Sequence, residues 1–273
     1  MRALCKEYVK FAGKVVVITG ASSGIGRQAA VDFARHGAGH VILVSRSEQK
    51  LSQLAGEISE MSPGCSSVSY VCDVSDKAQV LRMGRDVINR FGHVDVLVNN
   101  AGFAVFKSVK DLSIEEIESM TATNYHGMVY CTKAFLDSML TKRSGHIVNV
   151  ASLAASFGVA GLSAYCASKF AMLGFSESLY HELAKTGVHV TLVSPIAVRT
   201  NFFDHESFGG KMANYTGYAL DPRSVSNAIL AAANSPRLEI TVPFYARGAV
   251  WLKHTLPYVV QPLVGAVSRR QVQ

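Results

Sequence analysis

The chain has 273 residues, of which 49% are hydrophobic, and a formal net charge of +7. This length can bury a two-sided sheet in one domain, and no internal repeat and no linker rich in Pro, Ser or Gly divides the chain. The basic residues are scattered and no basic block is interleaved with aromatics, which argues against a nucleic-acid-binding protein and favours anionic cofactors or membrane surfaces as partners.

The N-terminal extension, residues 1–12, mixes Arg2, Lys6, Glu7 and Lys10 with few apolar residues. We therefore expect neither a signal peptide nor a spanning helix at this point, and a cytoplasmic protein. Residues 13–243 are interpreted as one catalytic domain, and residues 244–273 as an apolar and basic tail.

A glycine-rich turn follows the first predicted strand, Val15 to Ile18. It reads Thr19-Gly20-Ala21-Ser22-Ser23-Gly24-Ile25-Gly26 and precedes a helical pattern. Glycines at a strand-to-helix crossing permit close backbone approach, and the helix N-terminus attracts an anion. The turn predicts a pyrophosphate site, although glycines also serve chain reversal alone.

Predicted strands and helices alternate along the rest of the chain. Strands are expected near Val41 to Ser45, Val68 to Cys72, Val94 to Val98, Ile147 to Val150, Val188 to Val193 and Leu238 to Val242, and the longest helices over Ile114 to Leu140 and Ala164 to Lys185. The alternation predicts an α/β fold: a single-domain, Rossmann-type, doubly wound parallel sheet of about seven strands with helices on both faces.

Four polar residues downstream of the turn suit carbonyl chemistry: Asn124, Ser152, Tyr165 and Lys169. Tyr165 and Lys169 are four residues apart and share one face of a helix. A nearby ammonium stabilises a phenolate and lowers a tyrosine pKa from about 10 toward the working range of a general acid or base. Ser152 follows a strand and can hydrogen-bond a substrate oxygen on which charge develops.

Together with the glycine turn, Cys72-Asp73-Val74 and Asn99-Asn100-Ala101-Gly102, these residues resemble the short-chain dehydrogenase/reductase family over roughly Gly13 to Pro243. The resemblance implies that Asn124 holds a water molecule, which links Lys169 to bulk solvent in a proton relay. It also implies a homodimer or homotetramer formed through the two long helices. The segment Ser194 to Thr200 is similar to the family segment that contacts the nicotinamide, although Ile196 stands where glycine is usual.

The residue after the second strand decides between the two nicotinamide cofactors in this fold. An acidic side chain there would bind the ribose of NAD, but this chain has Ser45, followed by Arg46, with Arg27 as a second candidate cation. The permanently charged fork of Arg46 suits a 2′-phosphate, so the predicted cofactor is NADPH/NADP+. The predicted cofactor site comprises Gly20, Ser22, Ser23, Gly24, Ile25, Gly26, Ser45, Arg46, Asp73, Val74, Asn100, Ala101, Gly102, Tyr165, Lys169, Pro195, Val198 and Thr200.

Residues 201–218 are rich in aromatics: Phe202, Phe203, Phe208, Tyr215 and Tyr218. This density suits a lid over an apolar substrate, but it also suits a helix pair that packs its own small core. The predicted substrate residues are Ser152, Tyr165, Phe202 and Phe203.

Metal chemistry is not implied by the sequence. The five cysteines form no close pair at metal-ligand spacing, and the nine histidines include no such pair on a helix. The odd cysteine count argues against a disulfide framework and favours reduced thiols. Cys166 is expected to turn away from its neighbour Tyr165 and to pack in the interior.

The tail combines aromatic and aliphatic residues with arginines, and its uncharged run, Thr255 to Val267, is too short to span a bilayer. It suits a peripheral membrane anchor or docking on the same or a neighbouring subunit, and both alternatives stay open.

The sequence thus predicts an NADP(H)-dependent oxidoreductase that acts on a hydrophobic ketone or secondary alcohol. The pattern of Arg46, the aromatic segment and the apolar tail looks most like family members that handle lipid or steroid-like carbonyls, including 3-ketosphinganine reductases. A 3-oxoacyl-thioester reductase and a general carbonyl reductase are alternatives. An alternative of another class is a non-catalytic, NADPH-sensing binding protein.

Overall fold

The computed structural model describes residues 10–209 and 218–269. Seven strands form one sheet: β1 (Val15–Thr19), β2 (His40–Ser45), β3 (Ser66–Val71), β4 (Val96–Asn99), β5 (Gly145–Val150), β6 (Val188–Pro195) and β7 (Glu239–Val242). The spatial order is β3-β2-β1-β4-β5-β6-β7, and every neighbouring pair is parallel. The predicted doubly wound parallel sheet is therefore confirmed.

The α-helices of the described residues alternate with these strands. They are α1 (Gly24–Arg35), α2 (Glu48–Met61), α3 (Lys77–Phe91), α4 (Ile114–Thr121), α5 (Gly127–Lys142), α6 (Ser163–Glu182), α7 (Pro222–Asn234), α8 (Ala246–Thr255) and α9 (Pro257–Arg269). The chain runs outward from β1 on one side of the sheet and from β4 on the other. A ligand crevice is expected at this reversal, beyond the carboxyl ends of the strands.

Both faces of the sheet are covered, because alternate residues of each strand enter different cores. In β1, Val16 and Ile18 pack in a core with residues of α1, α2 and α7. Val15 and Val17 pack in the opposite core with residues of α3, α5 and α6. All five residues of β1 are buried, which explains why the strand reads as an unbroken apolar run.

The N-termini of the helices differ in how their backbone N–H groups are satisfied. Asp76 caps α3 by accepting from the N–H groups of Ala78 and Gln79, and Ser113 and Glu116 form a capping box at α4. Ser23 before α1 and Ser47 before α2 make no side-chain cap. Those two helices therefore begin with N–H groups that a ligand can engage.

The helix predicted from Ile114 to Leu140 is not continuous. A π-helical turn, Ala122–His126, separates α4 from α5 and contains Asn124. A π turn inserts an extra residue into a helix and re-aims the side chains within it. The prediction of one unbroken helix was wrong at this point.

Candidate active site

A cleft of about 1330 Å³ lies at the carboxyl ends of the strands. Most of the predicted cofactor and substrate residues line it: Gly20, Ser22, Ser23, Gly24, Ile25, Ser45, Arg46, Asp73, Val74, Asn100, Ala101, Gly102, Ser152, Tyr165, Lys169, Pro195, Val198, Thr200, Phe202 and Phe203. Two predicted residues, Gly26 and Asn124, lie behind the wall of the cleft instead.

The glycine turn is held against the loop after β4. Gly20 and Gly24 have φ values of +66° and +53°, a region that favours glycine. A Cβ at Gly26 would lie 2.3 Å from the carbonyl oxygen of Gly20, so this position admits only glycine without a shift. The Asn100 amide donates to the Thr19 carbonyl at 3.0 Å, and the backbone N–H of Asn100 donates to the Thr19 hydroxyl at 2.9 Å.

The turn fits the pyrophosphate of a dinucleotide. Gly24 and Ile25 line the cleft at the first turn of α1, where the Ser23 side chain makes no cap. The aligned peptide dipoles place partial positive charge at this helix end. An anion can therefore bind without displacing a protein acceptor.

The end of β2 carries the residues predicted to choose the cofactor. Ser45 is buried, and its hydroxyl accepts from the backbone N–H of Ser47 at 3.2 Å. The exposed Arg46 guanidinium lies 3.9 Å from the Asp73 carboxylate, with Nη1 and Oδ2 as the nearest atoms. Lys50, one turn into α2, also lines the cleft and was missed in the sequence. Its position in the first turn of the helix that follows Arg46 was an available signal.

Arg27 does not serve as the second cation that the sequence suggested. Its guanidinium pairs with the Glu57 carboxylate of α2, and Arg27 is absent from the wall of the cleft. Because Arg27 is paired with Glu57, the cations that line the cleft beside Ser45 are Arg46 and Lys50.

Tyr165 and Lys169 lie side by side on α6, and both are buried. The Lys169 ammonium lies 5.7 Å from the centre of the Tyr165 ring and donates to the Val150 carbonyl at 3.1 Å. The Ser152 hydroxyl is close enough to the Tyr165 phenol to act on its pKa. It also accepts from the backbone N–H of Ala154 at 3.1 Å, which fixes its position. The three side chains face the same part of the cleft.

Burial shifts the acid–base behaviour of this cluster. It raises the pKa of Tyr165 above its ordinary value, while the hydrogen bond from Ser152 acts in the opposite direction. It lowers the pKa of Lys169 to about 7. In the ligand-free protein the phenol is therefore protonated at neutral pH, and Lys169 titrates close to neutrality.

Asn124 is fully buried in the π turn and supports the site from behind. Its side-chain oxygen accepts from the backbone N–H of Phe103 at 3.0 Å, and its amide donates to the Phe103 carbonyl at 3.0 Å and to Ser168 at 2.9 Å. Ser168 in turn donates to the Tyr165 carbonyl at 2.7 Å. Both amide protons of Asn124 are thus used within the protein, so a relay water would need another atom of this residue.

The aromatic segment after β6 divides between the cleft and a small core. Phe202 and Phe203 line the cleft, and the Phe202 ring centre lies 5.5 Å from that of Tyr165. Phe208 is buried and stacks on Phe106 at 5.8 Å. Each sequence-based alternative therefore describes part of the segment, and Tyr215 lies outside the described residues.

The backbone at Ile196 continues regularly beyond β6. The Ile196 N–H donates to the Val242 carbonyl at 2.9 Å, which extends the pairing with β7. Its φ is not positive, so the replacement of the glycine usual in the family introduces no backbone strain. Pro195, Val198 and Thr200 keep their places on the wall of the cleft.

The tail closes the apolar end of the cleft. Ala249 of α8 and Leu263, Val264 and Val267 of α9 line it, opposite Leu153, Phe157, Val159 and Leu162. Lys253 holds the tail in place by donating to the Ser156 carbonyl at 2.6 Å. The sequence did not identify these residues as part of the cleft. Of the two alternatives for the tail, docking on its own subunit is observed for one of its faces.

The cysteines of the described residues are buried and free, and Cys72 lines the cleft beside Asp73. Cys166 is buried beside Tyr165, and burial raises the pKa of its thiol. Cys65, Cys72 and Cys131 are buried and free, and residues 10–209 and 218–269 hold no cluster of three ligating groups that suits a metal ion.

The chain is similar in sequence to known proteins over most of its length. The family model described as short chain dehydrogenase matches residues 14–207. Epidermal retinol dehydrogenase 2 of Mus musculus is 36% identical over 260 residues, which cover 93% of this chain and 82% of that protein. Retinol dehydrogenase 10-B of Danio rerio is 35% identical over 266 residues, with 90% and 79% covered.

Solved structures of short-chain dehydrogenases are also similar to this chain in fold. A short-chain dehydrogenase/reductase from Burkholderia phymatum in complex with NAD has a TM-score of 0.83 and 27% identity, over 92% of this chain and 96% of that one. A metagenomic short-chain oxidoreductase in complex with NADP has a TM-score of 0.73 and 30% identity, over 85% and 97%. Structures similar to this chain thus contain either nicotinamide cofactor.

Proposed function

This chain belongs to the short-chain dehydrogenase/reductase family of oxidoreductases, and on that premise we propose that it is an NADP(H)-dependent enzyme that interconverts an apolar carbonyl compound and its alcohol. One observation carries the proposal. Ser152, Tyr165 and Lys169 line one cleft together with the glycine turn and with apolar side chains such as Phe157 and Leu162. A substrate oxygen beside these three residues would have a proton donor and a hydrogen-bonding hydroxyl next to it.

In the reduction direction, the carbonyl carbon of the substrate would accept a hydride that a bound nicotinamide cofactor would supply. Tyr165 donates its phenolic proton to the carbonyl oxygen, so that hydride and proton together convert C=O to CH–OH. Ser152 hydrogen-bonds the same oxygen as negative charge develops on it. The nearby Lys169 ammonium stabilises the phenolate that remains, and Lys169 would also hold the ribose hydroxyls of a bound nicotinamide cofactor.

The fixed positions of these groups support this assignment. Ser152 is held by Ala154, and Lys169 is held by Val150. Asn124 holds the α6 backbone next to Tyr165 through Ser168. We therefore assign Asn124 a positioning role in addition to the proton relay that the family resemblance implies. Groups fixed before the reaction need little reorganisation during it.

NADPH preference is supported by the charge at the end of β2. Arg46 and Lys50 line the cleft next to Ser45, and an acidic residue is absent from that strand end. An anionic 2′-phosphate gains charge-assisted hydrogen bonds there, each of which is worth roughly 1.5 to 3 kcal/mol. Asp73 lies close enough to compete for Arg46 in the ligand-free protein.

The substrate class follows from the walls beyond Tyr165. Aromatic and aliphatic side chains form them, including Phe157, Leu162, Phe202, Phe203 and Val264. Such a surface favours long or polycyclic apolar compounds, and two relatives are named for retinol. Lipid or steroid-like ketones are the proposed substrates, with 3-oxoacyl thioesters and general carbonyl compounds as alternatives.

Turnover distinguishes the proposed enzyme from a non-catalytic NADPH-sensing protein. NADPH and NADH oxidation are measured against carbonyl compounds of graded chain length, with retinal and a steroid ketone in the series. We expect oxidation with NADPH that increases with apolar length. NADPH binding without oxidation of any compound in the series would favour the sensing protein.

A homodimer or homotetramer formed through α5 and α6 stays a prediction from the family. Phe170 and Tyr180 of α6 are exposed on the isolated subunit, which supports such a contact. Sedimentation analysis of the wild type and a Tyr180→Glu variant tests it, since a buried contact would be broken by the introduced charge. A monomeric wild type would contradict the prediction.

A cytoplasmic location with peripheral membrane contact is likewise proposed.

A further inference from the structure

The exposed apolar residues of this protein are concentrated in the tail. Sixteen large apolar or aromatic side chains are exposed among the described residues, and nine of them lie between residues 244 and 267. They are Phe244, Tyr245, Trp251, Leu252, Leu256, Tyr258, Val259, Leu263 and Val267, which we call the tail face. A patch of this kind marks an interaction site.

Apart from Leu263 and Val267, which also line the cleft, the tail face is separate from the side by which the tail packs on the protein. Ala246 and Lys253 of α8 and Val260 and Ser268 of α9 face inward, and Lys253 bonds to Ser156. Trp251 is 66% exposed and Tyr258 is 93% exposed. One side of these helices therefore packs on the protein, and the other side is free to contact a partner.

The charge of the tail indicates which partner fits. Residues 243–273 contain Arg247, Lys253, Arg269 and Arg270 and no Asp or Glu. Arg247 and Arg269 are exposed next to the tail face. Aromatic and aliphatic residues flanked by basic residues suit the surface of an anionic bilayer. A two-fold contact with a second copy would instead bring the same basic residues together.

No described helix has both the length and the apolar character needed to cross a bilayer. Contact would therefore be interfacial, with α8 and α9 lying along the membrane surface.

The tail face also reaches the mouth of the cleft. Leu263 and Val267 line the cleft, yet they are 63% and 59% exposed, so the same two side chains belong to both surfaces. Tyr218, at the other side of the aromatic segment, likewise lines the cleft and is exposed. A surface that covers the tail face thus lies against the opening of the cleft.

We propose that the tail face docks on anionic lipid bilayers and thereby opens the apolar end of the cleft toward the lipid. An apolar compound dissolved in the bilayer then enters past Leu263 and Val267 without crossing water. The delivery step rests on the proposed function, whereas the docking step does not.

Docking can be measured without turnover because Trp251 is the single tryptophan of the chain and belongs to the tail face. The full chain is mixed with phosphatidylcholine vesicles that contain or lack phosphatidylserine. We expect co-sedimentation and a blue shift of the Trp251 emission with the anionic vesicles, both weakened by salt. Unchanged emission and no sedimentation would overturn the proposal.

Matched variants test the two components of docking. Arg247→Glu and Arg269→Glu should each weaken vesicle binding by about fivefold or more, since a basic residue near an anionic surface contributes about 1 kcal/mol. Arg85→Glu on α3 is the control for the charge.

The apolar component is tested by a second pair of variants. Leu256→Ser with Tyr258→Ser should abolish the blue shift, whereas Val109→Ser with Ile114→Ser, at exposed sites outside the tail, should not. Equal effects of test and control variants would overturn the proposal.

Two further readouts separate the alternatives. A tail face buried between two copies would give blue-shifted emission without vesicles and a dimer that Tyr258→Ser dissociates. This result would overturn the membrane assignment.

Delivery of substrate from the bilayer is tested by turnover. Turnover of a bilayer-dissolved carbonyl compound should fall at least fivefold in Arg247→Glu, with turnover of a water-soluble carbonyl unchanged. An equal fall for both would overturn delivery. Docking without turnover of any carbonyl would instead contradict the proposed function.

Discussion

The Lys169 ammonium lies 5.7 Å from the centre of the Tyr165 ring, and among the described residues it hydrogen-bonds the Val150 carbonyl and the Met172 sulfur. No carboxylate of the described residues pairs with it. The charge that stabilises a Tyr165 phenolate is thus held in a buried site without a compensating anion. Two of the following predictions depend on this relationship.

Replacing Tyr165 with phenylalanine should abolish turnover and leave NADPH affinity within a few-fold. The ring still packs against Phe202, but no proton can be delivered to the substrate oxygen. The expected loss is at least about a hundredfold in kcat, the usual contribution of general acid catalysis. Steady-state kinetics and NADPH titration measure both quantities. Tyr70→Phe, on β3 and outside the cleft, is the control, and more than a tenth of wild-type turnover in Tyr165→Phe would remove the assignment.

The buried Lys169 should make stability depend on pH in the ligand-free protein. Its pKa is about 7 in the folded protein and 10.5 ordinarily. Between these values the unfolded chain holds a proton that the folded protein lacks, so the free energy of unfolding rises with pH. Relative to Lys169→Met, the wild type should gain up to about 1.4 kcal/mol per pH unit from pH 7 to about 9.

Denaturant unfolding of both proteins at several pH values measures this difference. Comparison with the variant is needed because burial also raises the pKa of Cys65 and Cys72 to about 11, which lowers stability at higher pH in both proteins. Lys133→Met, at an exposed site on α5, should parallel the wild type. Parallel curves for the wild type and Lys169→Met would show that Lys169 keeps its proton.

Cofactor choice should change when the end of β2 is altered. Ser45→Asp combined with Arg46→Ala should shift preference toward NADH, because it introduces an acceptor for ribose hydroxyls and removes a 2′-phosphate partner. NADPH affinity should fall by about ten- to a hundredfold. Lys50→Ala should cause a smaller loss. Arg27→Ala should change neither affinity, since Arg27 pairs with Glu57. A wild type that uses NADH as well as NADPH would refute the cofactor assignment.

Two glycine-to-alanine changes should have opposite effects on stability. A Cβ at Gly26 would clash with the Gly20 backbone, so Gly26→Ala should destabilise the protein by about 1–3 kcal/mol and weaken NADPH binding. A Cβ at Gly56, inside α2, meets nothing within 4 Å, so Gly56→Ala should stabilise by up to about 1 kcal/mol. Thermal and denaturant unfolding provide the comparison, and equal effects of the two changes would contradict the described turn.

The sheet was predictable because parallel strands buried on both faces leave long apolar runs in the sequence. The residues of the cleft were predictable because the carboxyl ends of such strands lie at one edge of the sheet, so Ser45, Asn100 and Ser152 had to lie along that edge.

Features that depend on distant partners were not predictable in this way. The π turn contains Asn124, whose side chain hydrogen-bonds with Phe103 and Ser168, 21 and 44 residues away. The loss of Arg27 as a cofactor ligand depends on Glu57, 30 residues away. The place of the tail beside the cleft depends on Lys253 and Ser156, 97 residues apart. Local periodicity carries no signal for pairs like these.

Transfer of deuterium from NADPH deuterated at C4 of the nicotinamide tests the central claim most directly. The wild type is incubated with each C4-deuterated epimer of NADPH and an apolar carbonyl compound, and the alcohol is analysed by mass spectrometry. The account predicts one deuterium on the carbinol carbon from one epimer, and none when Tyr165→Phe replaces the wild type. Binding of NADPH to the wild type with no deuterium in any alcohol would contradict it.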